Sequence, residues 1–100
     1  MAVTREITCV IKRNDYNDPH ELIQRVGGEY LGSPWNLPDF LVIYYIKNRI
    51  EKYFVTVKGK KVKVVVANYN GREYLKTEVD DYSPDTLLGL PVCTFVYNRI

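Results

Sequence analysis

Residues 53–79, YFVTVKGKKVKVVVANYNGREYLKTEV, decide the fold. Within them Tyr53 to Val57, Val62 to Ala67 and Glu73 to Val79 are runs of β-forming residues. Gly59-Lys60 and Asn70-Gly71 separate the runs, and both dipeptides suit tight hairpin turns. The pattern predicts a three-stranded antiparallel meander.

Working upstream, Ile7, Cys9 and Ile11 alternate with Glu6, Thr8, Val10 and Lys12, the period-2 spacing of a first strand. Asn14 to Pro19 is a turn-rich connector. Asp18 with Glu21 three residues on forms a capping box, and Pro19 suits a first helical position. A short helix is expected to follow, with Leu22, Ile23 and Val26 on one side and Gly27-Gly28 as its left-handed stop. Gly32 to Asn36 then reads as a loop whose Trp35 plugs the edge of the core. Pro38 can open a second helix in which Ile43, Ile46 and Ile50 share a face and Lys47 and Arg49 suit the carboxyl end. Against that helix, Phe40 to Ile46 is apolar almost all round and rich in β-formers, as a buried strand would be.

Downstream, Ser83-Pro84-Asp85 can cap one helical turn over Thr86 to Leu88, stopped by Gly89 and Pro91, and Thr94 to Tyr97 can add an edge strand. The order predicts one α+β domain over residues 1–100: a mostly antiparallel sheet of four to five strands, the first strand joining the C-terminal meander, with two short helices on one face.

Composition is that of an ordinary globular chain, with 46% hydrophobic and 26% charged residues in 100. A net charge of +2 is too balanced to argue by itself for nucleic acid or an anionic membrane. The start lacks the basic-then-apolar run of a signal peptide, and Phe40 to Ile46 is too short to cross a bilayer, so a soluble, cytoplasmic protein without a membrane partner is expected. Two cysteines are too few for a disulfide framework. The compartment argument favours free, buried or half-buried thiols at Cys9 and Cys93, with a single bridge as the alternative.

Candidate chemistry is sparse. His20 is the only histidine, and no zinc-ligand spacing surrounds it, so no metal or cofactor is expected. A Cys93–His20 pair could serve a cysteine-dependent enzyme, yet nothing supplies an oriented base or an oxyanion hole, and Cys93 reads more simply as a packed hydrophobe. Asp80, Asp81 and Asp85 lack the EF-hand pattern and suit turn capping better than cation binding. The basic feature is Lys58, Lys60, Lys61 and Lys63 around the first hairpin turn, to which Lys12 and Arg13 at the end of the first strand are candidate additions. Lysines there commonly serve solubility and edge protection. With aromatic residues on a flat sheet they can also hold single-stranded nucleic acid, by neutralising phosphates and stacking bases.

Several short stretches carry a likeness: Ile23 to Gly28, Trp35, the Gly71 turn, Tyr74-Leu75-Lys76-Thr77, Asp80, and Leu87-Leu88-Gly89-Leu90-Pro91-Val92-Cys93. In order and spacing the chain resembles the bacterial and phage family known as domain of unknown function 3892. It departs from that family in the bulk of Phe40 to Tyr45 and in continuing past Cys93. The resemblance implies a compact stand-alone module, often borne by mobile elements, with no assigned activity or catalytic residues. The expected role is therefore a non-enzymatic interaction module that engages a protein partner or a second copy through an open sheet face or an edge strand. Single-stranded nucleic acid is the alternative and cysteine-dependent catalysis the second.

Overall fold

Three tight turns set the frame. The computed structural model describes residues 3–13, 21–80 and 84–94. Its elements are β1 (Val3–Glu6), β2 (Cys9–Lys12), β3 (Ile23–Tyr30), β4 (Ser33–Pro38), α1 (Asp39–Lys47), β5 (Glu51–Val57), β6 (Lys60–Tyr69), β7 (Arg72–Thr77) and α2 (Asp85–Leu88). Leu31-Gly32, Lys58-Gly59 and Asn70-Gly71 each hold two successive positive φ angles, 52° and 83°, 51° and 80°, 53° and 79°. That is the mirror-image turn whose twist matches paired strands. The expected β5-β6-β7 meander is present, with its first turn one residue earlier than Gly59-Lys60.

The strands form a four-stranded sheet in the order β1-β5-β6-β7 and a three-stranded sheet in the order β2-β3-β4. The α+β class stands, but among the described residues seven strands in two sheets replace the four to five expected in one. The first strand does join the meander, running parallel to β5. It also breaks at Ile7-Thr8, which the alternation did not reveal. The Ile7 amide donates to the Phe54 carbonyl and the next amide, Thr8, donates to the Gly27 carbonyl, both at 2.8 Å. Successive amides of one extended segment thus serve the two sheets in turn.

The first expected helix is a correction. Residues 14–20 lie outside the described residues, and Ile23–Tyr30 is strand β3, paired antiparallel with β2 on one side and β4 on the other. Two ladders outweigh a local capping signal. Gly27-Gly28 is not a helix stop but a crossing point. A Cβ on Gly28 would collide with the Glu6 carbonyl oxygen, and one on Gly27 would lie 2.6 Å from that of Trp35. Ser33–Pro38 is likewise a strand and not a loop, although Trp35 does pack against the core as expected.

The second helix is borne out as α1, opened by Pro38 and closing at Lys47, with Val42 and Ile43 buried. Ile50 falls beyond its end and is 45% exposed. The helix packs against β3, β4, β5, β6 and β7, so it lies in the hollow that the two sheets form together. Ile7, Val10, Val26, Val42, Tyr53, Val55, Val64 and Leu87 meet there in one cluster. The single turn α2 touches β7 and β2 and adds Leu87 to the same cluster.

Cys9 and Cys93 correct the free-thiol expectation. They form a disulfide, with Cα atoms 4.8 Å apart. The approach is set by backbone: the Val10 amide donates to the Pro91 carbonyl and the Cys93 amide to the Val10 carbonyl, a parallel bridge of Val92 to the outer edge of β2. The edge strand expected at Thr94 to Tyr97 falls, beyond Thr94, outside the described residues.

Candidate binding surface

Strand alternation divides the β5-β6 hairpin into two faces. Val55, Val62 and Val64 point into the core, so Phe54, Lys61 and Lys63 point away from it. Register completes the outer face. Phe54 lies opposite Lys63 and Thr56 opposite Lys61 on β6, while Glu6 and Thr4 of β1 lie beside Phe54 and Lys52. Phe54 is half-buried, and the Lys61 ammonium sits 4.9 Å from its ring centre, within cation–π range. A shallow depression of about 300 Å³ covers this area, walled by Thr4, Lys52, Phe54, Lys61, Lys63 and Glu78. Glu6 is occupied in accepting from the Thr56 hydroxyl at 2.8 Å.

The structure therefore gathers Lys58, Lys60, Lys61 and Lys63 on one hairpin, all exposed, and adds Lys52. Sequence reasoning missed Lys52. The signal was present, since Lys52, Phe54 and Thr56 share a face by period two. Five of the fourteen basic residues lie between 52 and 63 with no acid among them, leaving nine against twelve acids elsewhere. The modest net charge thus hides a strongly polarised molecule.

Lys12 and Arg13 do not join this group. Lys12 ends β2 in the other sheet and Arg13 follows it. Arg13 donates to the carbonyls of Glu21 at 3.0 Å and Ile23 at 2.6 Å and pairs with Asp39 at 3.4 Å, tying β3 to the start of α1. The remaining polar clusters are also structural. Asp80 accepts from the amide and hydroxyl of Thr77 and from those of Thr86, clamping the end of β7 to α2. Asp80 therefore has its acceptor sites filled, and Asp81 lies outside the described residues. Arg5 pairs with Glu51 at 3.1 Å and lies 4.5 Å and 5.5 Å from the ring centres of Tyr30 and Trp35. Tyr53 donates its hydroxyl to Glu51, and burial, reinforced by that carboxylate, pushes its pKa well above the usual phenol value. The cysteine-dependent alternative needs a Cys93 thiolate, whereas Cys93 is bonded to Cys9 and His20 lies outside the described residues.

The edges of the sheets differ in what they could pair with. Tyr30↔Ser33 closes a two-residue hairpin, so Ser33, Trp35 and Leu37 turn their backbone groups toward β3. Pro34, Asn36 and Pro38 then turn outward, and two of those three residues have no amide to donate. The free edge of β4 is a poor template for an added strand.

A family model described as a protein of unknown function (DUF3892) matches residues 6–91. The chain belongs to this family. No curated protein and no solved structure matches. The residues that carry the family likeness can now be given physical roles. Gly28 admits the crossing strand, Gly71 makes a turn, Trp35 packs against the core, Tyr74, Leu75, Thr77 and Leu87 are buried, and Asp80 clamps.

Proposed function

We propose that the protein is a non-enzymatic binding module that holds single-stranded nucleic acid on the outer face of β1, β5 and β6. One observation carries this reading: Lys52, Lys61 and Lys63 flank a half-buried phenylalanine on a sheet face that the described chain leaves uncovered, with Lys58 and Lys60 at the adjoining turn. Lysines at strand spacing can follow a phosphate backbone, and Phe54 offers a flat ring on which a base can stack once Lys61 swings aside. A flat face with no projecting helix suits a single strand better than the groove of a duplex. Fluorescence anisotropy with a short labelled oligonucleotide tests it. Affinity is expected to fall as salt rises, with a log–log slope of about −2 to −3 if three or four phosphates are neutralised. Replacing both Lys61 and Lys63 with Glu should abolish binding. No binding at low salt to any single strand would sink the proposal.

A second reading, a protein partner or homodimer, is favoured by α1. Phe40 and Tyr44, one turn apart, are 66% and 55% exposed. It predicts self-association, seen by light scattering, that survives high salt and disappears on changing both residues to Ser.

A further inference from the structure

Where the strands of the proposed surface separate, the molecule has a second opening. β5 and β6 stay in register from Val57↔Lys60 to Phe54↔Lys63, and from Val64 onward β6 is in register with β7. A cavity of about 370 Å³ lies at this fork, its wall completed by Ile46 of α1 and by Arg49 just beyond that helix. Volumes of this size hold small ligands. Ile46, Tyr53 and Val64 make it apolar inside, and Arg49, Lys52 and Lys63 supply three cations. The carboxylate in its wall, Glu51, is already paired with Arg5 and the Tyr53 hydroxyl, so its charge is largely met within the protein.

Two further facts bear on an occupant. Lys52, Tyr53 and Lys63 line both this cavity and the outer-face depression, so the two openings are neighbours that share these three residues. Arg49 holds a φ of 59°, the left-handed position after a helix that glycine takes freely and a residue with a β-carbon does not. An arginine thus stands where glycine would be less strained, and it lines the cavity.

We infer that the fork cavity seats the terminal nucleotide of a bound strand, its phosphomonoester held among Arg49, Lys52 and Lys63 and its body against Ile46 and Val64. This rests on the nucleic-acid reading of the outer face and deepens it. A terminal phosphate carries nearly two negative charges, against one for each internal phosphodiester, so a cluster of three cations distinguishes an end from the middle of a strand.

The test compares one 12-nucleotide strand with and without a 5′-phosphate and the same strand with a 3′-phosphate, alongside adenosine monophosphate and inorganic phosphate. One phosphorylated end is expected to bind about three- to tenfold more tightly than the unmodified strand. Arg49→Gly should erase that preference while leaving the melting temperature equal or higher, the opposite of what a structural arginine would show. Adenosine monophosphate should shift the amide resonances of residues 46–53 and 63–64. Equal binding of all three strands, with Arg49→Gly silent, would overturn the terminal-nucleotide site while the outer-face surface stands. Inorganic phosphate binding as tightly as the mononucleotide would overturn the nucleotide assignment in favour of a free-anion site. Failure of every strand to bind would remove both proposals.

Discussion

The three-stranded sheet and the lysines of the β5-β6 hairpin use polar chemistry in opposite ways. In and around the three-stranded sheet, polar groups bind the chain to itself: Cys9 to Cys93, Arg13 to Asp39, Arg25 to Asn36 at 2.7 Å, and Arg5 over Tyr30 and Trp35. On the β5-β6 hairpin and its turn, Lys52, Lys58, Lys60 and Lys63 form no salt bridge among the described residues, and Lys61 meets only a ring. Groups that fasten a fold are partnered inside it. Groups kept for an outside partner stand apart, at the cost of mutual repulsion. The difference separates a region where substitutions should alter stability from one where they should alter binding.

The largest expected effect is loss of the disulfide, which links residues 84 apart in sequence. Changing both cysteines to Ser should lower unfolding stability by about 4 kcal/mol, near the upper end for a native bridge that closes so long a loop. Urea titration of the oxidised and reduced protein measures it, and identical midpoints would show that the β2 edge does not depend on the bond. Next comes Gly28→Ala, expected to cost about 3 kcal/mol because the colliding group, the Glu6 carbonyl, is backbone and not the flexible end of a side chain. Were the variant as stable as the parent, β1 and β3 would not cross as closely as described.

How much of this was legible follows the range of the interactions. The β5-β6-β7 meander and α1 could be read because their causes are local: turn dipeptides at Gly59 and Asn70-Gly71, Pro38 before a helix, alternation within a strand. Ile23–Tyr30 could not, since an Asp-Pro-x-Glu start and a Gly-Gly stop imitate a helix, and only the partners Cys9 to Lys12 and Ser33 to Pro38, distant or out of pattern, settle it as a strand. Leu31-Gly32 hid its turn because leucine rarely takes positive φ. The break at Ile7 and the meeting of Cys9 with Cys93 are products of topology, beyond the reach of any window on the chain. Of the candidate site, four lysines were visible as a run, Lys52 needed only the strand boundary, and the separation of Lys12 and Arg13 needed the fold.

A smaller effect belongs to the hydrogen bond within β5, between Tyr53 and Glu51. Tyr53→Phe removes the bond to Glu51 and should cost about 1 kcal/mol at neutral pH. The Tyr53 pKa is raised in the folded state, so the folded protein holds that proton more tightly than the unfolded chain does. Its contribution is whole below pH about 10, the unfolded value, and is lost as pH climbs from there through the higher folded value. Stability curves of parent and variant should therefore converge on the alkaline side, and parallel curves would show that the buried phenol is not the titrating group.

The smallest stability change is expected where the binding change is greatest. Lys61→Gln with Lys63→Gln removes two exposed charges that fasten nothing, and should shift unfolding by no more than about 0.5 kcal/mol in either direction. Relief of repulsion along the hairpin would make the shift slightly favourable, since Lys58, Lys60, Lys61 and Lys63 stand within six residues. The same double variant should bind a single strand more weakly and with a shallower salt slope, by about 0.7 for each phosphate that is no longer neutralised. A large loss of stability would mean that these lysines fasten the sheet after all, which would erase the contrast between the two regions. Unchanged stability with unchanged binding would keep the contrast in the fold and take its functional meaning away.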